Sequence, residues 1–97
     1  MDEAHEIPVD GVLDLHTFQA REVKDLVVEY LRACRAKGIR DIRIIHGKGT
    51  GALLRTVHAV LERLPEVASY GLAPLEAGGW GATIVRLKDG PAEQDQA

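Results

Sequence analysis

Two stretches with apolar residues at helical spacing, each preceded by a short run rich in branched residues, constrain the fold of this chain more than any other feature. Residues 19–37 and 51–64 repeat apolar side chains every three or four positions, which is typical of a helix with one buried face. Gly38 and Pro65 follow these stretches and are residues that end helices. The positions expected to face inward are Val23, Leu26, Val27, Tyr30, Leu31, Cys34, Leu53, Val57, Val60, Leu61 and Leu64.

Shorter apolar runs predict four β-strands, at residues 12–16, 39–46, 67–75 and 82–88. Gly71 and Pro74 interrupt the third run, so we expect it at an edge of the sheet, where a missing N–H is tolerated. The order β-α-β-α-β-β contains two crossover units followed by two adjacent strands. It predicts the α/β class, as a two-layer α/β sandwich in which two helices cover one face of a mixed four-stranded sheet.

The length of 97 residues is enough to bury one hydrophobic core. We therefore expect one domain at residues 11–88, flanked by flexible acidic segments at 1–10 and 89–97. The N-terminus lacks the pattern of a secretory signal, and no apolar run reaches the roughly 20 residues of a membrane span. These features predict a cytoplasmic protein that does not associate with membranes. Cys34 is expected to be a buried thiol, and the chain to be a monomer or a weak dimer.

Basic residues are concentrated in the middle of the chain, although its net charge is -3. Between Arg32 and Arg63 the basic side chains are opposed only by Asp41 and Glu62. The net charge excludes a polycation that holds nucleic acid by bulk attraction, whereas a local positive surface is compatible with this distribution. An ordinary solvated helix exterior explains the same residues equally well.

The segment GKGTG, residues 47–51, lies between the second predicted strand and the second predicted helix. Glycines allow backbone N–H groups to turn inward, and the start of a helix adds unpaired N–H groups and a positive dipole end. These features predict a phosphate site with Lys48 as a positive charge and Thr50 as a hydroxyl donor. The segment is neither a Walker loop nor part of a full dinucleotide motif, and a tight turn without a ligand is the structural alternative.

Asp14, His16 and His46 stand at the ends of the first two predicted strands. A right-handed crossover makes these strands parallel, so their carboxyl ends meet at the edge where open α/β sheets bind ligands. Histidine exchanges protons near neutral pH, and a carboxylate orients it or holds a divalent ion. We therefore expect the three side chains to share one pocket, with structural roles for the histidines as the alternative. His5 and His58 lack such neighbours, and no role is assigned to them.

The segment GGWGAT, residues 78–83, places the single tryptophan, Trp80, among glycines. Its position between two predicted strands is typical of a hairpin loop. A large ring gains little core burial in such a loop. An exposed Trp80 ring could stack on a nucleobase, a contact worth roughly 1–3 kcal/mol.

Three motifs in order, LDLH at 13–16, IIHGKGTGALLR at 44–55 and GGWGAT at 78–83, closely resemble the Smr (small MutS-related) domain. The resemblance covers about residues 11–88 and is to a stand-alone bacterial form. It implies a compact α/β sandwich that binds nucleic acid. In many members it also implies an endonuclease that nicks DNA, including branched DNA, or cleaves RNA, with work in DNA repair or recombination.

Family function maps by resemblance onto residues of the first two motifs, namely Asp14, His16, His46, Gly47, Lys48 and Gly49. With the residues argued above, the predicted catalytic groups are Asp14, His16 and His46. The predicted contacts to phosphate or nucleic acid are Gly47, Lys48, Gly49, Thr50, Gly51, Arg55 and Trp80. The chain departs from many relatives at Thr17, where they have glycine, and at Trp80, where they have a small or acidic residue.

The leading hypothesis is phosphodiester hydrolysis, in which the glycine segment and Lys48 hold the phosphate while one histidine acts as base and the other protonates the leaving oxygen. Asp14 orients His16 or binds a divalent cation such as Mg or Mn, although no ligand spacing selects a metal, and no other cofactor is expected. A second hypothesis is a non-catalytic module that grips structured nucleic acid or a ribosome-like assembly. A third is a small nucleotide-binding protein. The sequence favours neither DNA nor RNA.

Overall fold

The computed structural model describes residues 7–89, and the predicted ends 1–6 and 90–97, with His5, lie outside these residues. Its elements are β1 Val12–Asp14, α1 Ala20–Ala36, β2 Asp41–Ile45, α2 Ala52–Arg63, β3 Val67–Leu72 and β4 Ala82–Leu87. The predicted order β-α-β-α-β-β is confirmed. Within the described residues, no helix is both long and apolar enough to cross a membrane.

The four strands form one mixed sheet in the order β1-β2-β4-β3. β1 and β2 are parallel, with Leu13 opposite Ile44, and β4 runs antiparallel to both of its neighbours. β3 lies at an edge, as predicted, but ends at Leu72. Beyond it the chain forms two single turns of 3₁₀ helix, Leu75–Ala77 and Gly79–Gly81, where the sequence predicted the end of the third strand and a hairpin loop.

The two helices pack on one face of the sheet and bury the core between the layers. Every predicted inward position of the helices is buried or packs against the buried cluster. Leu13, Ile44 and Val85 supply the sheet side of this cluster and are fully buried. Burial of one such side chain stabilises the fold by about 1.5–3 kcal/mol, so the inward pattern of the helices largely determines the architecture.

Residues 7–10 belong to the packed structure, although the sequence placed them in the N-terminal segment. Ile7 and Val9 pack against the core cluster. The Tyr30 hydroxyl accepts a hydrogen bond from the Gly11 N–H at 3.0 Å and donates to the Val12 carbonyl at 3.1 Å. This anchor on α1 means that packing begins before residue 11, the predicted boundary.

Candidate functional site

The glycine segment 47–51 forms a curled loop between β2 and α2. Gly47, Gly49 and Gly51 have φ values of +82°, +24° and +89°, which side chains of L-residues rarely allow. The loop lines an open pocket of about 230 Å³ together with His46 and the first turn of α2. Among residues 7–89, no side chain caps the first N–H groups of α2 apart from the Thr50 hydroxyl, which lies 3.3 Å from the Ala52 nitrogen. The loop therefore has the backbone form that an anion site requires.

A second loop, Gly79–Gly81, is bonded to the glycine segment. The Gly81 carbonyl accepts hydrogen bonds from the N–H groups of His46 at 3.1 Å and Gly47 at 2.8 Å. Lys48 Nζ lies 5.8 Å from the centroid of the Trp80 ring, within cation–π range. Trp80 is 48% exposed. The fold thus places an accessible aromatic face beside the lysine of the glycine segment.

Two basic side chains of the central segment pair with carboxylates elsewhere in the fold. Arg32 pairs with Glu66, and Arg40 pairs with Asp89. By contrast, no ion pair joins Lys48 or Arg55 to a carboxylate within residues 7–89. The Arg55 guanidinium reaches the glycine segment, since a Cβ built on Gly51 would lie 3.2 Å from its Nη1. Two positive charges that no carboxylate pairs within residues 7–89 therefore lie at the glycine segment.

Asp14 and His16 form a hydrogen-bonded pair at the end of β1. Asp14 Oδ1 lies 2.9 Å from His16 Nδ1 and accepts the His16 backbone N–H at 3.0 Å. The backbone bond first, and the ring bond second, hold the pKa of the Asp14 carboxyl below its usual value. An ionised carboxylate only accepts, so Nδ1 carries a proton, and in the neutral ring Nε2 is left as an acceptor. The His16 side chain is 75% exposed, which leaves Nε2 accessible to a substrate.

His46 lies on the opposite face of the sheet from Asp14 and His16. The prediction that the three side chains share one pocket is therefore wrong. Asp14 is opposite Ile45 in the parallel register and is exposed on the face without helices. His46 follows Ile45, points into the helix layer and is 6% exposed. The ends of β1 and β2 do meet at one edge, as expected. Because side chains alternate between the two faces of a strand, however, Asp14 and His16 lie on one face and His46 lies on the other. The catalytic roles of the three residues stay predictions.

His58 and Thr83 are neighbours of His46 that sequence reasoning missed. The Thr83 hydroxyl lies 2.8 Å from Nε2 of His46 and 2.8 Å from Nε2 of His58. Burial first, and the charge of His46 second, lower the pKa of His58. The sequence offered only a weak signal for these two residues. His58 occupies a flank of α2, and Thr83 is a polar residue on the strand face that also carries Val85.

Metal coordination has few candidate ligands in the described part of the chain. Within residues 7–89, no three or more His, Cys, Asp or Glu side chains cluster in a way that could hold a metal ion. Asp14 and His16 form a pair of adjacent donors. A cation bound there would take its other ligands from water or from substrate oxygens.

Comparison with known proteins gives consistent results. The Smr domain family matches residues 13–88. Endonuclease MutS2 of Halothermothrix orenii is 42% identical over 80 residues, which cover 82% of this chain and 10% of that protein. Endonuclease MutS2 of Solidesulfovibrio magneticus is 39% identical over 77 residues, which cover 79% of this chain and 10% of that protein. The chain thus spans about a tenth of the length of these relatives.

Two solved structures share the fold. The Smr domain of Thermus thermophilus MutS2 superposes with a TM-score of 0.77 at 37% identity, covering 81% of this chain and 99% of that one. YdaL, a stand-alone small MutS-related protein from Escherichia coli, superposes with a TM-score of 0.74 at 28% identity, covering 89% of this chain and 70% of that one.

Proposed function

The chain belongs to the Smr domain family, and from this premise we propose that it binds nucleic acid at the carboxyl edge of its sheet and cleaves phosphodiester bonds there. The observation that carries the proposal is the placement of three features at the ends of the neighbouring parallel strands β1 and β2: the glycine segment, the charges of Lys48 and Arg55, which no carboxylate of residues 7–89 pairs, and the exposed Asp14–His16 pair. Relatives named as endonucleases support the proposal, although each is about ten times longer than the matched region.

The glycine segment and the start of α2 are assigned to the phosphate. Backbone N–H groups at a helix start, with glycines that let a ligand approach, bind anions without needing a particular base sequence. Lys48 within the segment and Arg55 of α2 beside Gly51 add positive charge. This arrangement fits the backbone of a nucleic acid, because successive phosphates can meet more than one positive group.

The Asp14–His16 pair is assigned to proton transfer. Asp14 fixes the His16 ring with its proton on Nδ1, so Nε2 can take a proton from an attacking water. As the water oxygen bonds to phosphorus, the bond from phosphorus to the leaving oxygen breaks, and Lys48 offsets the negative charge that develops. The leaving oxygen takes up a proton from solvent water, and His16 returns its extra proton to solvent. His46 has no part in this step, because its ring lies in the helix layer and both nitrogens have partners. The sequence hypothesis of a two-histidine mechanism is therefore revised to one histidine.

A divalent cation such as Mg or Mn is retained as a separate proposal. Asp14 offers one carboxylate whose lowered pKa keeps it charged, as a hard cation requires. Addition of a chelator in the cleavage assay tests this point without affecting the assignment of the glycine segment.

The deciding experiment offers the purified chain a panel of labelled linear, branched and single-stranded DNA and RNA, and scores both retention and cleavage. We expect retention that weakens as salt rises, and cleavage of at least one substrate that is lost in Asp14→Asn. Absence of retention on every substrate would refute the proposed function. The panel also separates DNA from RNA as the preferred ligand.

A non-catalytic binding module is the second candidate function. It is favoured by the separation of His16 and His46 on opposite faces of the sheet, which removes the acid–base pair that the sequence suggested. The same panel discriminates the two, because a binding module retains nucleic acid and leaves every substrate intact. Binding in that case still requires Lys48 and the glycine segment but not His16.

A further inference from the structure

His46, Thr83 and His58 form a hydrogen-bond network that links the glycine segment to α2. His46 Nδ1 lies 3.0 Å from the Gly47 carbonyl oxygen, and the Thr83 hydroxyl lies 2.8 Å from Nε2 of each histidine. His46 is 6% exposed and Thr83 is fully buried. This hydrogen-bond network therefore lies in the helix layer, away from the exposed Asp14–His16 pair.

The positions of the protons in this network follow from which atoms can donate a hydrogen bond and which can only accept one. A carbonyl oxygen only accepts, so His46 Nδ1 carries a proton. If His46 is neutral, its Nε2 accepts the single proton of Thr83, and the Thr83 oxygen accepts from Nε2–H of His58. If His46 is charged, its Nε2 donates to Thr83, and the Thr83 proton must turn to His58. The two arrangements differ by one proton on His46 and by the tautomer of His58.

The surroundings favour the arrangement with both rings neutral. Within residues 7–89, the ring contacts of the two imidazoles are with each other, at 6.3 Å between centroids, and with Tyr70 of β3, whose ring lies edge-on 4.9 Å from that of His58. The Tyr70 hydroxyl donates to Glu62, so this carboxylate is engaged with Tyr70. No carboxylate contacts His46 within the described residues, so a charge on its ring would be buried without a counter-ion.

We propose that Thr83 and His58 are positioning residues, which hold His46 as the neutral Nδ1–H tautomer and thereby keep the Gly47 carbonyl bonded to the ring, so that it does not compete for the anion site. The inference rests on the proposed function, since it concerns how the glycine segment is kept ready for a phosphate. A peptide carbonyl carries partial negative charge, so a Gly47 oxygen released from His46 would compete with the anion for the N–H groups. His46 acts through Gly47 and does not exchange a proton with the substrate.

The test measures ring nitrogen signals by long-range ¹H–¹⁵N NMR in the wild-type chain near neutral pH, without any ligand. We expect protonated Nδ1 and unprotonated Nε2 for His46, with protonated Nε2 for His58. A wild-type His46 with protonated Nε2 would overturn the proposal. This NMR measurement uses the wild-type protein, so its result does not depend on whether a variant folds.

Inorganic phosphate then serves as the probe of the loop in two Thr83 variants. Thr83→Ser keeps the hydroxyl and should keep both tautomers and phosphate affinity, whereas Thr83→Val removes the hydroxyl and should weaken phosphate binding about tenfold. Equal phosphate affinity of the folded serine and valine variants would overturn the positioning role. If the tautomers are as expected but wild-type chain binds neither phosphate nor nucleic acid, the proposed function fails while the proton assignment stands.

Discussion

Gly47 donates its backbone N–H to the carbonyl oxygen of Gly81 across 2.8 Å, which joins the loop after β2 to the loop before β4. The same carbonyl accepts the His46 N–H, so it fixes the residue at which the glycine segment begins. Close approach of these loops leaves little space at Gly81, where an added Cβ would lie 3.2 Å from Lys48 Cγ. The position of Lys48 therefore depends on a glycine more than thirty residues away in sequence.

Gly81→Ala is expected to weaken nucleic-acid binding severalfold while the fold is kept. The added methyl group forces the Lys48 stem to move, because 3.2 Å is shorter than an ordinary carbon–carbon contact. The lysine is exposed and can shift, so the free energy of unfolding should fall by only about 1 kcal/mol. Affinity for a labelled strand and a urea unfolding curve measure the two effects.

Gly71→Ala is the matched control, since a Cβ at this β3 position meets no atom within 4 Å and no positive φ is required there. The control should bind like the wild-type chain. Equal affinity of the Gly81→Ala and Gly71→Ala variants would contradict the coupling of the two loops.

His16→Ala and Asp14→Asn are expected to lower the cleavage rate by about 10²–10⁴-fold, the usual contribution of a positioned proton-transfer group. Binding should change little, because neither side chain lines the pocket of the glycine segment. Asp25→Asn, an exposed carboxylate on α1, is the control and should cleave normally. A His16→Ala variant that cuts at the parental rate would remove His16 from the mechanism.

The fold was predictable because periodicity is a local property of the sequence. The spacing of Val23, Val27 and Leu31 specifies a buried helix face, and the crossover rule then makes β1 and β2 parallel neighbours. Gly38 and Pro65 indicated the ends of both helices to within a few residues. These signals required no knowledge of contacts between distant residues.

The arrangement of the candidate site was only half predictable, because it depends on register. The sequence indicates that Asp14 and His46 end neighbouring strands, but a shift of one residue in pairing reverses the face of each side chain. The structure pairs Asp14 with Ile45, which sends His46 to the other face. The Thr83–His58 contact could not be predicted from local sequence patterns either, since it joins residues 25 positions apart.

Lys48→Ala and Arg55→Ala are each expected to reduce the salt dependence of binding. Loss of one phosphate contact should lower the slope of log affinity against log salt concentration by about 0.7–0.9. Titrations at several salt concentrations provide the slope. Lys24→Ala on α1 is the charge-matched control, because Lys24 lies away from the glycine segment between the two helices. A slope unchanged in both site variants would mean that phosphate binds elsewhere.

Trp80→Ala is expected to weaken binding of single-stranded nucleic acid by about 5–150-fold, which corresponds to the roughly 1–3 kcal/mol of one base stacked on an aromatic ring. Trp80→Phe should recover part of this loss because it keeps an aromatic face. Trp80 is the single tryptophan, so quenching of its fluorescence on binding reports stacking directly. Leu75→Ala controls for lost apolar surface, since Leu75 is 86% exposed in the same connection. Binding without quenching would argue against stacking.

Acidification is expected to destabilise the chain in part through His58. Burial first, and repulsion from His46 when both rings are protonated second, lower the pKa of His58 in the folded state. As the pH falls below the usual histidine pKa of about 6.5, the unfolded state takes up a proton that the folded state binds less readily. Stability therefore decreases with falling pH until the lowered pKa of His58 is reached, and above the usual pKa this contribution vanishes. Urea unfolding between neutral and mildly acidic pH should show a shallower loss in His58→Asn than in the wild-type chain, and an identical loss in both would show that His58 does not contribute.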